Sequence, residues 1–205
     1  STGAAPVQCH ATYSVPQSRS LSITKVDALS GQPLSGVAFD LYMKQSGGDV
    51  KVGTFTTDEN GKISVVVTDA DAEYYFVETT ALPGYKALTG AVSGGRVTND
   101  WDTGSLEITK ILSNENDVQV GQTFTFDVTL DLSKAAVAGN DLSWMTDEYF
   151  KNLLTCSKAI SWSVAQTRKL TATVTLDAGE TVTIDGIPLG TTYTVEEIQT
   201  EEDRL

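Results

Sequence analysis

Short stretches in which hydrophobic and polar residues alternate run along most of the chain. In the first, residues 20–25, Leu21, Ile23 and Lys25 fall on one face, because successive side chains of a β-strand point to opposite sides of the sheet. Further strand-like stretches lie at 37–41, 52–55, 63–67, 73–78, 95–99, 124–130, 170–176 and 180–184. Turn sequences such as Asp58-Glu-Asn-Gly61 separate them. Short strands divided by turns predict a β-sandwich.

The second half of the chain contains an insertion, residues 135–160, that breaks this pattern. Tyr149, Phe150, Leu153 and Leu154 have helical spacing within it and follow a Thr-Asp-Glu start signal. We therefore predict one short helix there.

Two segments are repeated in the same order. Residues 20–25 (SLSITK) are echoed by 105–110 (SLEITK), and 74–78 (YYFVE) by 193–197 (YTVEE). This duplication predicts an all-β fold of two tandem immunoglobulin-like β-sandwiches, with the short helix in the second. The predicted divisions are a leader, linker or end of a preceding domain at 1–19, a first module at 20–102 and a second module at 103–205.

Composition excludes several classes of function. The 205 residues carry a formal net charge of -13, whereas nucleic acids and anionic membranes bind clustered Lys and Arg. No stretch approaches the ~20 apolar residues of a membrane span. One histidine and the two cysteines, Cys9 and Cys156, do not complete a zinc site, and we predict no metal and no cofactor. A Cys9–Cys156 disulfide is possible if the protein is exported, but it would have to join separate predicted parts of the chain.

The sequence also lacks the usual catalytic motifs. One histidine supports no convincing Ser-His-Asp set, and there is no Gly-rich phosphate loop. We therefore predict that the protein is not an enzyme.

Lysine and glutamate recur at corresponding positions of both modules. Lys25 and Glu78 are in phase with core-facing residues, as are Lys110 and Glu197, so we expect all four on core faces. One interpretation is a buried salt bridge, or side chains that reach water at strand ends. The other is a covalent crosslink, because burial favours a neutral, nucleophilic lysine amine, and a protonated glutamic acid can polarise a side-chain amide. If an asparagine lies beside both, the amine attacks its amide carbon, expels ammonia and forms a Lys-Asn isopeptide bond.

Residues 20–100 resemble the Cna B-type (SpaA-like) domain of Gram-positive surface proteins. The matching motifs are Ile23-Thr-Lys25-Val-Asp27, Gly31-Gln-Pro-Leu-Ser-Gly36, Thr57-Asp-Glu-Asn-Gly61-Lys-Ile63 and the E-box-like Tyr74-Tyr-Phe-Val-Glu78, which continues to Pro83-Gly84-Tyr85. In that family a first-strand lysine bonds an Asn or Asp on the last strand, with the E-box glutamate as catalyst. The resemblance implies a crosslink between Lys25 and Asn99 with Glu78 as catalyst.

Residues 104–205 are similar to the isopeptide-linker domains of streptococcal-type major pilins. The matching segments are 106–110, 124–130, 179–184 and 186–197. This resemblance implies Lys110 as nucleophile and Glu197 as catalyst, but the acceptor is unknown. Only eight residues follow Glu197 and none is an asparagine, so the last strand is either cut off or supplied from elsewhere.

The two resemblances imply a structural shaft or stalk subunit of a sortase-assembled pilus or cell-wall-anchored adhesin, secreted to the surface of a Gram-positive bacterium. Its partners would be other pilin or surface-protein subunits joined through sortase. The alternative is an adhesin module that binds a host protein or glycan, with the insertion at 135–160 as the candidate loop region. Neither a Tyr-Pro-Lys pilin motif nor a sortase sorting signal lies within the 205 residues.

Overall fold

The computed structural model describes residues 17–114, 121–136 and 142–198. The first half contains seven strands within these ranges: Arg19–Asp27 (β1), Ala38–Met43 (β2), Val50–Thr56 (β3), Lys62–Val67 (β4), Tyr74–Thr80 (β5), Ala91–Val92 (β6) and Gly95–Asn99 (β7). The second half contains Thr103–Thr109 (β8), Thr123–Asp131 (β9), the helix Asp147–Leu153 (α1), Thr155–Cys156 (β10), Ser163–Gln166 (β11), Lys169–Asp177 (β12), Thr181–Pro188 (β13) and Thr192–Ile198 (β14). The predicted all-β fold with one helix is confirmed.

Two sheets make up the first half, with strand orders β4-β1-β7 and β3-β2-β5-β6. Strand β1 is central in its sheet, since it pairs antiparallel with β4 and parallel with β7. Ile23 of β1, Phe39 of β2 and Phe76 of β5 are fully buried. The alternating pattern of these strands therefore places one face of each sheet in the core between them.

The second half repeats most of these pairings. Its sheets have the orders β10-β13-β8 and β11-β12-β9-β14. The antiparallel pair β8/β13 corresponds to β1/β4, and the triplet β12-β9-β14 corresponds to β3-β2-β5. One difference bears on function: β1 lies between two partners, whereas β8 is an edge strand of its sheet among the described residues.

Helix α1 forms where the sequence predicts it. The Thr146 side chain accepts a hydrogen bond from the Tyr149 backbone N–H at 3.2 Å, which caps the first turn. Asp147 and Glu148 in that turn complement the helix dipole. Tyr149 and Phe150 are buried, so α1 packs through these two aromatic residues.

The core continues from one half into the other. Trp101, which follows β7, is 4% exposed and belongs to a cluster of buried residues drawn from both halves. In the part of the chain that the structure describes, no helix is long and apolar enough to span a membrane. Cys156 is half-buried and forms no disulfide with another described residue, and the predicted partner Cys9 lies outside the described residues.

Candidate functional site

The candidate site begins with two neighbouring parallel strands. The register of β1 and β7 pairs Lys25 with Val97 and Asp27 with Asn99. Side chains two residues apart on a strand share a face. Lys25 and Asn99 are therefore diagonal neighbours on the inner face of this sheet, and they are 0% and 2% exposed.

The third residue reaches the site from the opposite sheet. Glu78 lies on β5, where it pairs with Phe39 of β2, and its side chain points into the same core. The sandwich thus brings together side chains from the first strand, the last strand and the strand that carries the E-box-like sequence.

Glu78 contacts both of the other side chains. Its Oε2 lies 2.8 Å from Lys25 Nζ, and its Oε1 accepts a hydrogen bond of 2.8 Å from Asn99 Nδ2. Lys25 Nζ also donates to the Thr98 carbonyl at 3.0 Å. Asn99 Oδ1 is buried and has no hydrogen-bond partner among the described residues. The carboxylate therefore bridges an amine and an amide nitrogen inside a closed core.

The surroundings of Lys25 favour its neutral form. Burial lowers the pKa of the Lys25 amine from its ordinary value, and this effect outweighs the opposing hydrogen bond and charge of Glu78. The Phe39 ring, with its centroid 5.7 Å from Lys25 Nζ, belongs to this apolar environment. A lysine with a lowered pKa, held beside a proton acceptor and an amide, has the properties of a nucleophile.

A hairpin turn fixes the backbone of the lysine. The Lys25 N–H donates to the Gly61 carbonyl at 2.7 Å, and the Lys25 carbonyl accepts from the Leu34 N–H at 2.9 Å. Gly61 has φ +70°, and a Cβ there would lie 2.2 Å from the Lys25 carbonyl oxygen. Only glycine satisfies both the positive φ and this close approach, so the turn sequence helps to place Lys25.

The second half brings Lys110 and Glu197 together at its surface. Lys110 Nζ lies 2.8 Å from both carboxylate oxygens of Glu197 and 4.2 Å from the centroid of the Phe124 ring. Their side chains are 15% and 39% exposed, against 0% for both Lys25 and Glu78. The expectation that Glu197 lies on a core face is therefore wrong.

The sheet topology explains this exposure. Strand β7 covers one edge of β1 in the first half, whereas β8 has only β13 beside it among the described residues. Lys110 directly follows β8, and Glu197 lies on β14, an edge strand of the facing sheet. Tyr193, which was expected to face the core with Glu197, is 58% exposed.

The sequence of the first half matches a known domain family. Residues 19–110 match the family model described as SpaA, prealbumin-like fold domain. This match is limited to residues 19–110, and we refer to that part of the chain as the SpaA-type domain. The match extends over all three residues of the candidate site. Residues 104–204 match a separate model, described as a domain of unknown function (DUF7601).

Three solved structures align with most of the chain at low sequence identity. The shaft pilin SpaA of Lactobacillus rhamnosus GG has 16% sequence identity and a TM-score of 0.35, with 91% of this chain and 89% of that chain covered. The major pilin subunit BcpA of Bacillus cereus has 16% identity and a TM-score of 0.37, with 91% and 65% covered. The Bacillus anthracis TIE protein has 19% identity and a TM-score of 0.42, with 89% and 31% covered. The comparison with curated proteins found no significant match.

Sequence reasoning missed one partner of the site and one buried acid that lies two residues from Lys25 on β1. The Thr98 carbonyl that accepts from Lys25 is a backbone group, so residue type gives no signal for it. Asp27 is 1% exposed. It continues the alternation of Leu21, Ile23 and Lys25, and this signal could have identified it as buried.

Proposed function

We propose that this protein is a structural, non-enzymatic subunit of a Gram-positive surface shaft or stalk, stabilised by an isopeptide bond between Lys25 and Asn99. The observation that carries the proposal is the buried Glu78 carboxylate, which contacts both the Lys25 amine and the Asn99 amide. The SpaA-type domain around these residues supports the same conclusion.

The proposed reaction proceeds once in each molecule. Glu78 takes a proton from the Lys25 ammonium, and the neutral amine attacks Cγ of Asn99. Glu78 then returns the proton to the departing Nδ2, to which it is already hydrogen-bonded. The C–N bond of the amide breaks, ammonia leaves and a Lys-Asn amide remains. Lys25 loses two hydrogens in all. The first, taken by Glu78, becomes the third hydrogen of the released ammonia, and the second passes from the attacking nitrogen to Glu78 and then to solvent.

The position of this bond has a mechanical consequence. Lys25 lies on β1 and Asn99 on β7, the first and last strands of the first half, so the bond closes a loop that contains β2 to β6. A pull on the two ends of this domain would pass from β1 through the bond to β7. The enclosed strands would be shielded from extension, and the unfolded chain would remain constrained. These properties suit a shaft under tension.

The proposed location and partners follow from this role. We propose that the protein is secreted, lies at the cell wall and is joined by sortase to other pilin or surface-protein subunits. The adhesin alternative placed a ligand site in the insertion at 135–160. The described α1 part of that insertion instead buries Tyr149 and Phe150 against Trp101, and no observation at the site favours the alternative.

We propose the same reaction for the second half, where the acceptor residue is not identified. We assign Lys110 as nucleophile and Glu197 as catalyst for an acceptor on a strand beside β8, by analogy with β7 beside β1. The identity of that acceptor is the missing part, and the exposed Lys110–Glu197 pair is an ion pair until such a strand binds.

The decisive measurement is the intact mass of the reduced, denatured protein. We expect the wild type to be lighter than its sequence by one ammonia. The variants Lys25→Ala, Asn99→Ala and Glu78→Ala should each have their full sequence mass. Proteolysis followed by fragmentation should identify one branched peptide that joins Lys25 to Asn99, which excludes loss of ammonia at another site.

The matched control is Lys44→Ala. Lys44 forms an exposed ion pair with Glu73 in the same domain, so its replacement should leave the loss of ammonia unchanged. A wild type of full sequence mass would refute the crosslink and reduce the site to a buried ion pair. Loss of two ammonias would mean that the second half also contains its acceptor.

A further inference from the structure

We infer that the two halves of the chain are held as one rigid body by a buried cluster of Asp27, Tyr85, Trp101, Tyr149 and Phe150, which we name the joint. Asp27 belongs to β1 and Tyr85 to the loop between β5 and β6, whereas Tyr149 and Phe150 belong to α1 of the second half. Trp101 lies on the connection between them. This inference does not depend on the isopeptide bond.

A single carboxylate binds both halves together. Asp27 Oδ1 accepts hydrogen bonds from the hydroxyls of Tyr85 at 2.9 Å and Tyr149 at 2.8 Å. Its Oδ2 accepts from the backbone N–H and the hydroxyl of Ser30 at 2.6 and 2.8 Å. The Trp101 indole N–H donates to the Tyr149 hydroxyl. Every hydroxyl and indole N–H of the joint therefore has a partner, as a buried polar network requires.

The two tyrosines keep their protons in this setting. Burial is the largest cause that raises the pKa of both Tyr85 and Tyr149, and the Asp27 carboxylate raises both further. Both hydroxyls thus remain donors to Asp27.

Aromatic packing closes the joint against water. The Trp101 ring stacks on the Tyr85 ring of the first half with 3.9 Å between centroids. On the second half it meets the rings of Phe150 and Tyr149, with centroid separations of 5.9 and 6.4 Å. Such pairs stabilise beyond their buried area, and Trp101 contributes to the packing of both halves at once.

The backbone of the connection is held on both sides. The Asp102 N–H donates to the Gly84 carbonyl at 2.7 Å in the first half, and the Asp102 carbonyl accepts from the Leu189 N–H at 3.0 Å in the second. The Lys86 N–H donates to the Asp100 carbonyl at 2.8 Å. A flexible linker exposes its backbone N–H and carbonyl groups to solvent. In this connection, by contrast, backbone groups form hydrogen bonds with both halves.

Helix α1 is itself fixed to the second half. Gly186 in β13 has φ +78°, and a Cβ there would lie 2.2 Å from the Leu153 carbonyl oxygen, so the strand backbone lies directly against the end of the helix. At the other end, the Arg168 N–H donates to the Asp147 carboxylate at 2.9 Å. Motion of α1 therefore moves the second half, and its contact with Asp27 transmits that motion to β1.

The test is nitrogen-15 relaxation of the full chain, analysed separately for β1–β7 and β8–β14. We expect one rotational correlation time for both halves of the wild type. The double variant Trp101→Ala/Tyr149→Ala should give two distinct, shorter values. The matched control Tyr193→Ala alters an exposed tyrosine of β14 and should preserve the common value. Two correlation times in the wild type, or one in the double variant, would overturn the inference.

A milder variant guards against loss of folding. Tyr149→Phe keeps the ring but removes the hydroxyl that accepts from Trp101 and donates to Asp27. Because the buried Trp101 N–H loses its acceptor, we expect the Trp101 indole hydrogen to exchange with solvent about tenfold faster or more. The Trp162 indole hydrogen, which lacks this partner, should be unaffected. Unchanged exchange at Trp101 would contradict the joint even if both halves remain folded.

Discussion

Lys25 Nζ lies 2.8 Å from Glu78 Oε2, and both side chains are completely buried. Lys110 Nζ lies at the same distance from Glu197, but those side chains are 15% and 39% exposed. An exposed ion pair contributes little to the free energy of unfolding, because both side chains stay hydrated. A buried ion pair can raise or lower the free energy of unfolding by several kcal/mol. Burial, rather than distance, therefore distinguishes the proposed crosslinking site from an ordinary surface ion pair.

Replacement of the bridging carboxylate should stop the reaction. Glu78→Gln has nearly the same shape but cannot take the proton from Lys25, so we expect the variant to retain its full sequence mass. The measurement is intact mass after prolonged incubation. Glu197→Gln is the matched control, because its exposed carboxylate has no role in the first half; this variant should still lose one ammonia. Complete crosslinking in Glu78→Gln would show that the carboxylate is dispensable.

Loss of the crosslink should lower the free energy of unfolding. Asn99→Ala opens the loop between Lys25 and Asn99, and a crosslink across a loop of this size stabilises by about 4 kcal/mol through the unfolded state. Urea denaturation should show this loss as a lower midpoint. Asn60→Ala, at an exposed turn position, is the control and should change stability by less than about 0.5 kcal/mol. Equal midpoints for the wild type and Asn99→Ala would argue against a bond in the wild type.

The lowered pKa of Lys25 predicts how the uncrosslinked protein responds to pH. In Asn99→Ala, the folded state releases the Lys25 proton at a lower pH than the unfolded state, whose lysine pKa is near the ordinary value of 10.5. Between these two values the unfolded state binds more protons, so stability rises with pH, with a slope of at most about 1.4 kcal/mol per pH unit. Below the folded-state pKa this contribution is constant.

Urea titrations of Asn99→Ala over the alkaline range would measure this slope. Lys25→Met/Asn99→Ala has no amine at the site, and the difference between the two variants isolates Lys25 from the other titrating groups. The difference should shrink as the pH rises towards 10.5. A constant difference would mean that burial does not lower the pKa of Lys25.

In the first half, the sequence predicts which side chains lie in the core, because the residues that alternation places on the inner face are also buried. Alternation with their strand neighbours predicts that Lys25 and Glu78 point into the core. The Thr146 cap and the spacing of the aromatic residues predict the helix. Glu197 has the same alternation as Glu78 but is exposed. A two-residue period gives the face of a strand, whereas burial depends on which strands cover that face.

The joint could not be predicted from local sequence patterns, because it depends on contacts between distant parts of the chain. Tyr149 lies 122 residues from Asp27 along the chain, yet its hydroxyl donates to that carboxylate. Helical spacing predicts which face of an amphipathic helix is apolar, but it does not predict the surface against which that face packs. Trp101 lies between the two halves in the sequence, but its hydrogen bond to Tyr149 of α1 is visible only in the tertiary structure.

A glycine in the hairpin turn should be as important to the site as its reactive residues. Gly61→Ala places a Cβ 2.2 Å from the Lys25 carbonyl oxygen at φ +70°, so the turn must move away from β1. We expect a loss of more than about 1 kcal/mol in the free energy of unfolding and slower loss of ammonia, because the Lys25 backbone is no longer held.

Gly47→Ala is the control, since a Cβ there meets no atom within 4 Å. Urea denaturation and timed intact-mass measurements on freshly made protein would test both effects. Crosslinking at the wild-type rate in a destabilised Gly61→Ala would confine the turn to a stabilising role and leave placement of Lys25 to β7 and Glu78.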